Sequence, residues 1–126
     1  MSKKRILMIS AISGFLAVAC GAFGAHGLKN LLEPTLYATY QTGVEYQFYH
    51  TFALLFIALA PSDLSSKHLG WAGIAFTLGI LLFSGSLYLL ALTGIKVLGA
   101  ITPLGGVAFL CGWVLVGYTA IISNRR

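Results

Sequence analysis

Two apolar runs decide how this chain folds. They are LGWAGIAFTLGILLFSGSLYLLALT over Leu69–Thr93 and LGAITPLGGVAFLCGWVLVGYTAII over Leu98–Ile122, joined by Gly94-Ile95-Lys96-Val97. Neither run contains Asp, Glu, Lys or Arg. A membrane-spanning helix needs about 20 mostly apolar residues, so each run is long enough to span with some tilt. The linker between them suits only a tight helical hairpin, which makes the two helices antiparallel neighbours.

Working outward, Ile6–Ala25 is a further span, preceded by the basic run Lys3-Lys4-Arg5. Val44–Ala60 is less clean. Its second half, Phe52–Ala60, is apolar, but Glu45, Tyr46, Gln47, Tyr49 and His50 fill the first half. The pattern predicts a helix that starts between Tyr37 and Gly43 and ends before Pro61. The segment between the first two spans carries Leu28, Leu31, Leu32 and Leu36 among polar residues and is broken at Pro34. It reads as a short amphipathic element on the membrane surface. Pro61–His68 reads as a polar turn. The expectation is an all-α, integral membrane four-helix bundle. It forms one domain over residues 1–126, with spans near 6–25, 43–60, 69–93 and 98–122.

Composition agrees. Of the 126 residues, 58% are hydrophobic and 9% charged, and the mean hydropathy is +0.89. An average soluble domain carries roughly 25% charge, and a short soluble chain could not bury this much apolar surface. Disorder, fibrous repeats and a disulfide scaffold are excluded on the same grounds. The net charge of +5 does not point to nucleic acid, because the bases sit at the termini and singly in loops.

With four spans, Lys3, Lys4, Arg5, Lys67, Arg125 and Arg126 share one side, against Lys29 and Lys96 on the other. The positive-inside rule then places both termini in the cytoplasm. The first segment also resembles a secretory signal, with Ala17-Val18-Ala19 as a cleavage pattern. Its apolar run continues past Cys20 to Ala25, so an uncleaved helix is expected.

Small residues recur at helical spacing: Ser13, Ala17, Gly21 and Ala25 in the first span, Gly70, Gly73 and Thr77 in the third, Ala108 and Gly112 in the fourth. In lipid such spacing lets backbones approach closely. It serves either packing within the bundle or a homodimer seam. Cys20 and Cys111 lie at depths too different for a disulfide, at 1.5 Å per helical residue, and read as inert buried thiols.

The polar residues of the spans cluster at one level. Counted from the outer ends at 1.5 Å per residue, His50 lies roughly 10 Å deep, Ser84, Ser86 and Tyr88 about 8–14 Å, and Thr102 about 6 Å. His26, Glu45, Tyr46 and Gln47 lie nearer the outer surface. Polar groups are costly in hydrocarbon and mark a candidate site. His50 is expected to point into the bundle and bond a group from another helix, such as Ser84, Ser86 or Tyr88. The Tyr46 hydroxyl is the local competitor. Glu45 and His50, five residues apart, face different directions. The alternative is an interfacial belt of Tyr37, Tyr40, Tyr46 and Tyr49, with Glu45 in headgroup water.

No catalytic residue, metal site or cofactor is expected. Ser84-Gly85-Ser86 lies inside a helix rather than at a strand–turn–helix elbow, and His26, Glu45 and His50 lack metal-binding spacing. Pro103, about five residues into the fourth span, is expected to kink it and free a carbonyl.

Four blocks carry a family resemblance: Gly21–Gly27 (GAFGAHG), Thr42–Gln47 (TGVEYQ) continuing to His50-Thr51, Phe83–Tyr88 (FSGSLY) and Thr102–Gly106 (TPLGG). In this order they resemble the YgdD/YwdK-like family of small bacterial membrane proteins of unknown function. The resemblance implies a four-helix protein of the bacterial cytoplasmic membrane and brings no activity or catalytic residue. The functional expectation is a non-enzymatic protein of the lipid bilayer. Its outer-leaflet polar site, drawn from His26, Glu45, Tyr46, His50, Ser84, Ser86, Tyr88 and Thr102, would take a partner membrane protein, lipid or small ligand. The alternative is a small dimeric transporter, similar to small multidrug exporters in size, using Glu45 as its membrane carboxylate.

Overall fold

The structure, a computed structural model, describes residues 1–123. It is four long helices joined by short turns: α1 (Lys3–Leu28), α2 (Pro34–Leu59), α3 (Ser66–Thr93) and α4 (Thr102–Ser123). Arg125 and Arg126, counted in the charge bias, lie outside the described residues. Helices α1, α3 and α4, the last with its preceding turn, are long and apolar enough to cross a membrane. Their outer surfaces carry large apolar side chains such as Phe15, Val114 and Leu110, a surface that suits lipid and not water. Helix α2 is equally long but carries Gln41, Glu45, Gln47 and His50.

Local chemistry sets the helix ends. The Ser2 hydroxyl caps α1 by accepting from the Arg5 amide at 3.3 Å. Gly94 ends α3 at φ 71°, the left-handed position that glycine fills without steric cost. At the opposite end of the bundle the Lys3 ammonium donates to the Ala60 carbonyl, satisfying a backbone acceptor at the C-terminus of α2. The backbone of Met1 packs against Gly70 of α3 at that same end.

Two prolines depart from expectation. Pro34 does not break a surface element; it occupies the first turn of α2, ahead of the Tyr37–Gly43 window. The missing N–H of proline is harmless there, and its fixed φ suits the helix. The expected amphipathic segment is instead the end of α1, which continues through a π turn at Gly24–Leu28, and a short turn before α2. Pro103 likewise kinks nothing. Lys96–Ala100 form a 3-10 turn, and α4 starts at Thr102, so Pro103 again sits in a first turn.

Helices α2 and α3 are central; α1 packs mainly on α2, and α4 mainly on α3. Glycines set how closely they approach. A Cβ on Gly105 would run into the backbone of Phe83, one on Gly79 into the Phe109 ring, and one on Gly112 into the Phe76 ring at 2.5 Å. The α3–α4 seam therefore interlocks aromatic rings with glycines along its length. These small residues serve packing within the chain, whereas Gly85 and Gly117 face open space. Both cysteines are free thiols; Cys111 is exposed rather than buried, because its side of α4 faces away from α3.

Candidate functional site

The polar layer resolves into two arrangements on α2. The first centres on Gln47, 5% exposed. Its amide nitrogen donates to the Ser13 carbonyl at 3.0 Å and to the Ser13 hydroxyl at 3.3 Å. Its amide oxygen accepts from the Tyr88 hydroxyl at 2.6 Å. Thr51 completes the knot, with its hydroxyl 2.6 Å from the Gln47 carbonyl and 2.7 Å from the Ser13 hydroxyl. One side chain thus ties α1, α2 and α3 together.

Close backbone approach positions the groups around it. Gly43 lies so near the Tyr88 ring that a Cβ would sit 2.8 Å from it. This brings the Ser84 hydroxyl within 2.7 Å of the Gly43 carbonyl. A π turn at Ile80–Ser84 leads into this stretch of α3 and sets which way its side chains face. Ser84 and Tyr88 meet α2, while Ser86 meets α4, its hydroxyl 2.6 Å from that of Thr102.

The second arrangement centres on His50, 4% exposed. It points into the bundle, as expected, but its interhelical partner is Trp113 and not Ser84, Ser86 or Tyr88. The indole Nε1–H donates to Nε2 at 3.1 Å. An indole nitrogen only donates, so Nε2 carries the lone pair and Nδ1–H donates to the Tyr46 carbonyl at 2.7 Å. The imidazole is therefore neutral in this arrangement. It stacks on Phe109, ring centroids 3.5 Å apart and 7° from parallel, and meets Phe76 and Trp113 at tilted angles.

Beside His50 a groove of about 670 Å³ opens between α2 and α4. Tyr46, Tyr49, Phe83, Phe109 and Trp113 supply most of its walls, with Pro103 and Gly106 near the start of α4. Tyr49 and Trp113 also border a neighbouring trough of about 420 Å³, lined by Phe52, Ala53, Phe56 and Val116. A separate groove of about 360 Å³ lies between α1 and α3, with Ser13, Gln47 and Tyr88 among its lining residues.

The candidate residues are therefore divided. Tyr46 and His50 border the α2–α4 groove. Tyr88 joins the Gln47 knot, while Ser84, Ser86 and Thr102 pair with each other or with backbone. His26 and Glu45 are exposed, and Glu45 borders only a shallow recess with Gly21, Tyr37 and Tyr40. The tyrosines do not form one belt: Tyr40 is buried and donates to the Cys20 carbonyl at 2.5 Å, joining α1 to α2. The sequence places Gln47 in the polar layer without making it a site residue, and does not single out Ser13, Thr51 or Trp113. The four-residue spacing of Gln47 and Thr51 is the signal that could have found the first arrangement.

Comparison with known proteins matches this architecture to bacterial membrane proteins. The family model described as "Protein of unknown function (DUF423)" matches residues 20–106. The UPF0382 inner membrane protein YgdD of Escherichia coli K12 is 44% identical over all of this chain and 96% of its own length. The UPF0382 membrane protein SAB0533 of Staphylococcus aureus is 44% identical over 90% of this chain and 92% of its own. No solved structure matches. The chain thus belongs to the DUF423 family of unknown function and is a multi-pass protein of the bacterial cytoplasmic membrane.

Proposed function

We propose that this protein is a non-enzymatic binder of a membrane-borne ligand, held in the lateral groove between α2 and α4. All four helices cross the bilayer in this reading, with both termini cytoplasmic. The groove then runs from the outer end of α4, at Pro103 and Gly106, to the middle of the bilayer, where Tyr46 lies halfway along α2 and Trp113 halfway along α4. The observation that carries the reading is the pairing of groove and anchor. A ligand-sized recess opens sideways beside a histidine whose two ring nitrogens are already bonded. A histidine so held shapes a wall and carries no proton traffic.

The exporter-like alternative needs its carboxylate in a cavity reaching both sides. Glu45 is exposed beside a shallow recess of about 130 Å³ between α1 and α2, which favours the binding reading.

The test is to purify the protein in mild detergent and identify co-isolated small molecules by mass spectrometry, beside a Gly106→Leu variant. A Cβ at Gly106 comes no closer than 4.0 Å to Phe83, so the leucine adds bulk to the groove without a backbone clash. The proposal expects a stoichiometric molecule that the variant loses. Identical molecules in both proteins contradict it.

A further inference from the structure

We infer that the ligand is a quinone-class lipid, with a neutral planar ring bearing carbonyl acceptors in the aromatic chamber and a hydrocarbon tail in the adjoining trough. This inference rests on the binding reading above and specifies its ligand. Three observations select the class.

The first is the chamber's chemistry. Aromatic side chains of Tyr46, Phe83, Phe109 and Trp113 line it, and no Asp, Glu, Lys or Arg is among its lining residues. Aromatic walls favour offset stacking with another flat ring. A phosphate headgroup would lose its hydration there with no cation to compensate. A lipophilic cation would find ring faces but no carboxylate, because Glu45 borders a different recess.

The second is the supply of donors. The hydroxyls of Tyr37, Tyr40 and Tyr88 are hydrogen-bonded within the protein. Those of Tyr46 and Tyr49, both at the chamber, are not among the paired groups of the described residues. Two phenols that can donate suit a ring that only accepts. The third is continuity. Tyr49 and Trp113 border both the chamber and the apolar trough, so a head in one leads to a tail in the other.

The full-length chain carrying Trp71→Phe, placed in nanodiscs of phosphatidylethanolamine and phosphatidylglycerol, provides the test. Trp113 is then the sole indole, and a bound quinone quenches it by contact. Titration with a decyl-tailed benzoquinone should give saturable quenching. Gly106→Leu should abolish saturation, and Gly117→Leu, whose Cβ meets open space, should not change it. The pair Tyr46→Phe and Tyr49→Phe removes only hydroxyls and should weaken binding about five- to tenfold, the scale of one or two net hydrogen bonds. Linear quenching that is identical in the parent and both groove variants overturns the inference. So does saturation by tetraphenylphosphonium or added phospholipid in place of the quinone. If Gly106→Leu still strips a different co-isolated molecule, only the quinone assignment fails. If it strips nothing, the binding reading fails as well.

Discussion

Gln47 and His50 lie three residues apart on α2, less than one helical turn, yet they solve the cost of a buried polar group differently. Gln47 reaches two other helices and is held by hydrogen bonds through both ends of its amide. His50 reaches one other helix by hydrogen bond, bonds the Tyr46 carbonyl of its own, and is otherwise held by neighbouring rings. The first arrangement ties α1, α2 and α3 together beside the smaller α1–α3 groove. The second leaves an open groove along α4. Both side chains are hydrogen-bonded and both border a groove; what differs is the wall, aromatic around His50 and largely aliphatic around Gln47.

The largest effect should come from Gln47→Leu. It removes interhelical bonds to Ser13 and Tyr88, each worth about 0.6–1.7 kcal/mol in membrane proteins. The Tyr88 hydroxyl would be left unpaired, while the Ser13 hydroxyl keeps Thr51, so a loss of about 2–3 kcal/mol is expected, read as a lower melting temperature in detergent. Its co-isolated ligand should nevertheless persist in the fraction that stays folded. Loss of ligand at unchanged melting temperature would reverse the assignment of the two regions.

His50→Leu should cost less, about 1–2 kcal/mol, because it strands one Trp113 N–H and gives up the stack on Phe109. His50→Gln, which can still accept from the indole, should melt closer to the parent. Equal tolerance of both changes would show that the Trp113 bond contributes nothing. Glu45→Gln should have the smallest effect, within about 0.5 kcal/mol, since the side chain is exposed. A marked drop in melting temperature would place Glu45 in a packed site and revive the transporter reading.

Much of this contrast is legible in the amino-acid sequence. Apolar runs locate α1, α3 and α4, and depth along each helix brings Ser86 level with Thr102. Depth misplaces His50: α2 starts at Pro34, so His50 lies about 24 Å along it and meets Phe76 and Trp113, deeper in the bundle. Depth says nothing of direction around a helix axis. The partner of His50 is Trp113 because Gly79, Gly105 and Gly112 bring α4 hard against α3. Such seating is a tertiary property that no local pattern encodes. Pro34 and Pro103 mislead for a shared reason. A residue without an N–H fits a helix start as well as a helix break, and only the conformation of the preceding residues decides which.

The account depends most on α2, the most polar of the four helices, crossing the membrane. Single cysteines at Glu33 and Asp63, both exposed and just beyond opposite ends of α2, test this in a background with Cys20 and Cys111 replaced by alanine. Intact cells treated with a membrane-impermeant maleimide should label Glu33→Cys from outside and Asp63→Cys only after permeabilisation. Labelling of both positions from the same side would contradict the four-span bundle and, with it, the lipid-facing groove.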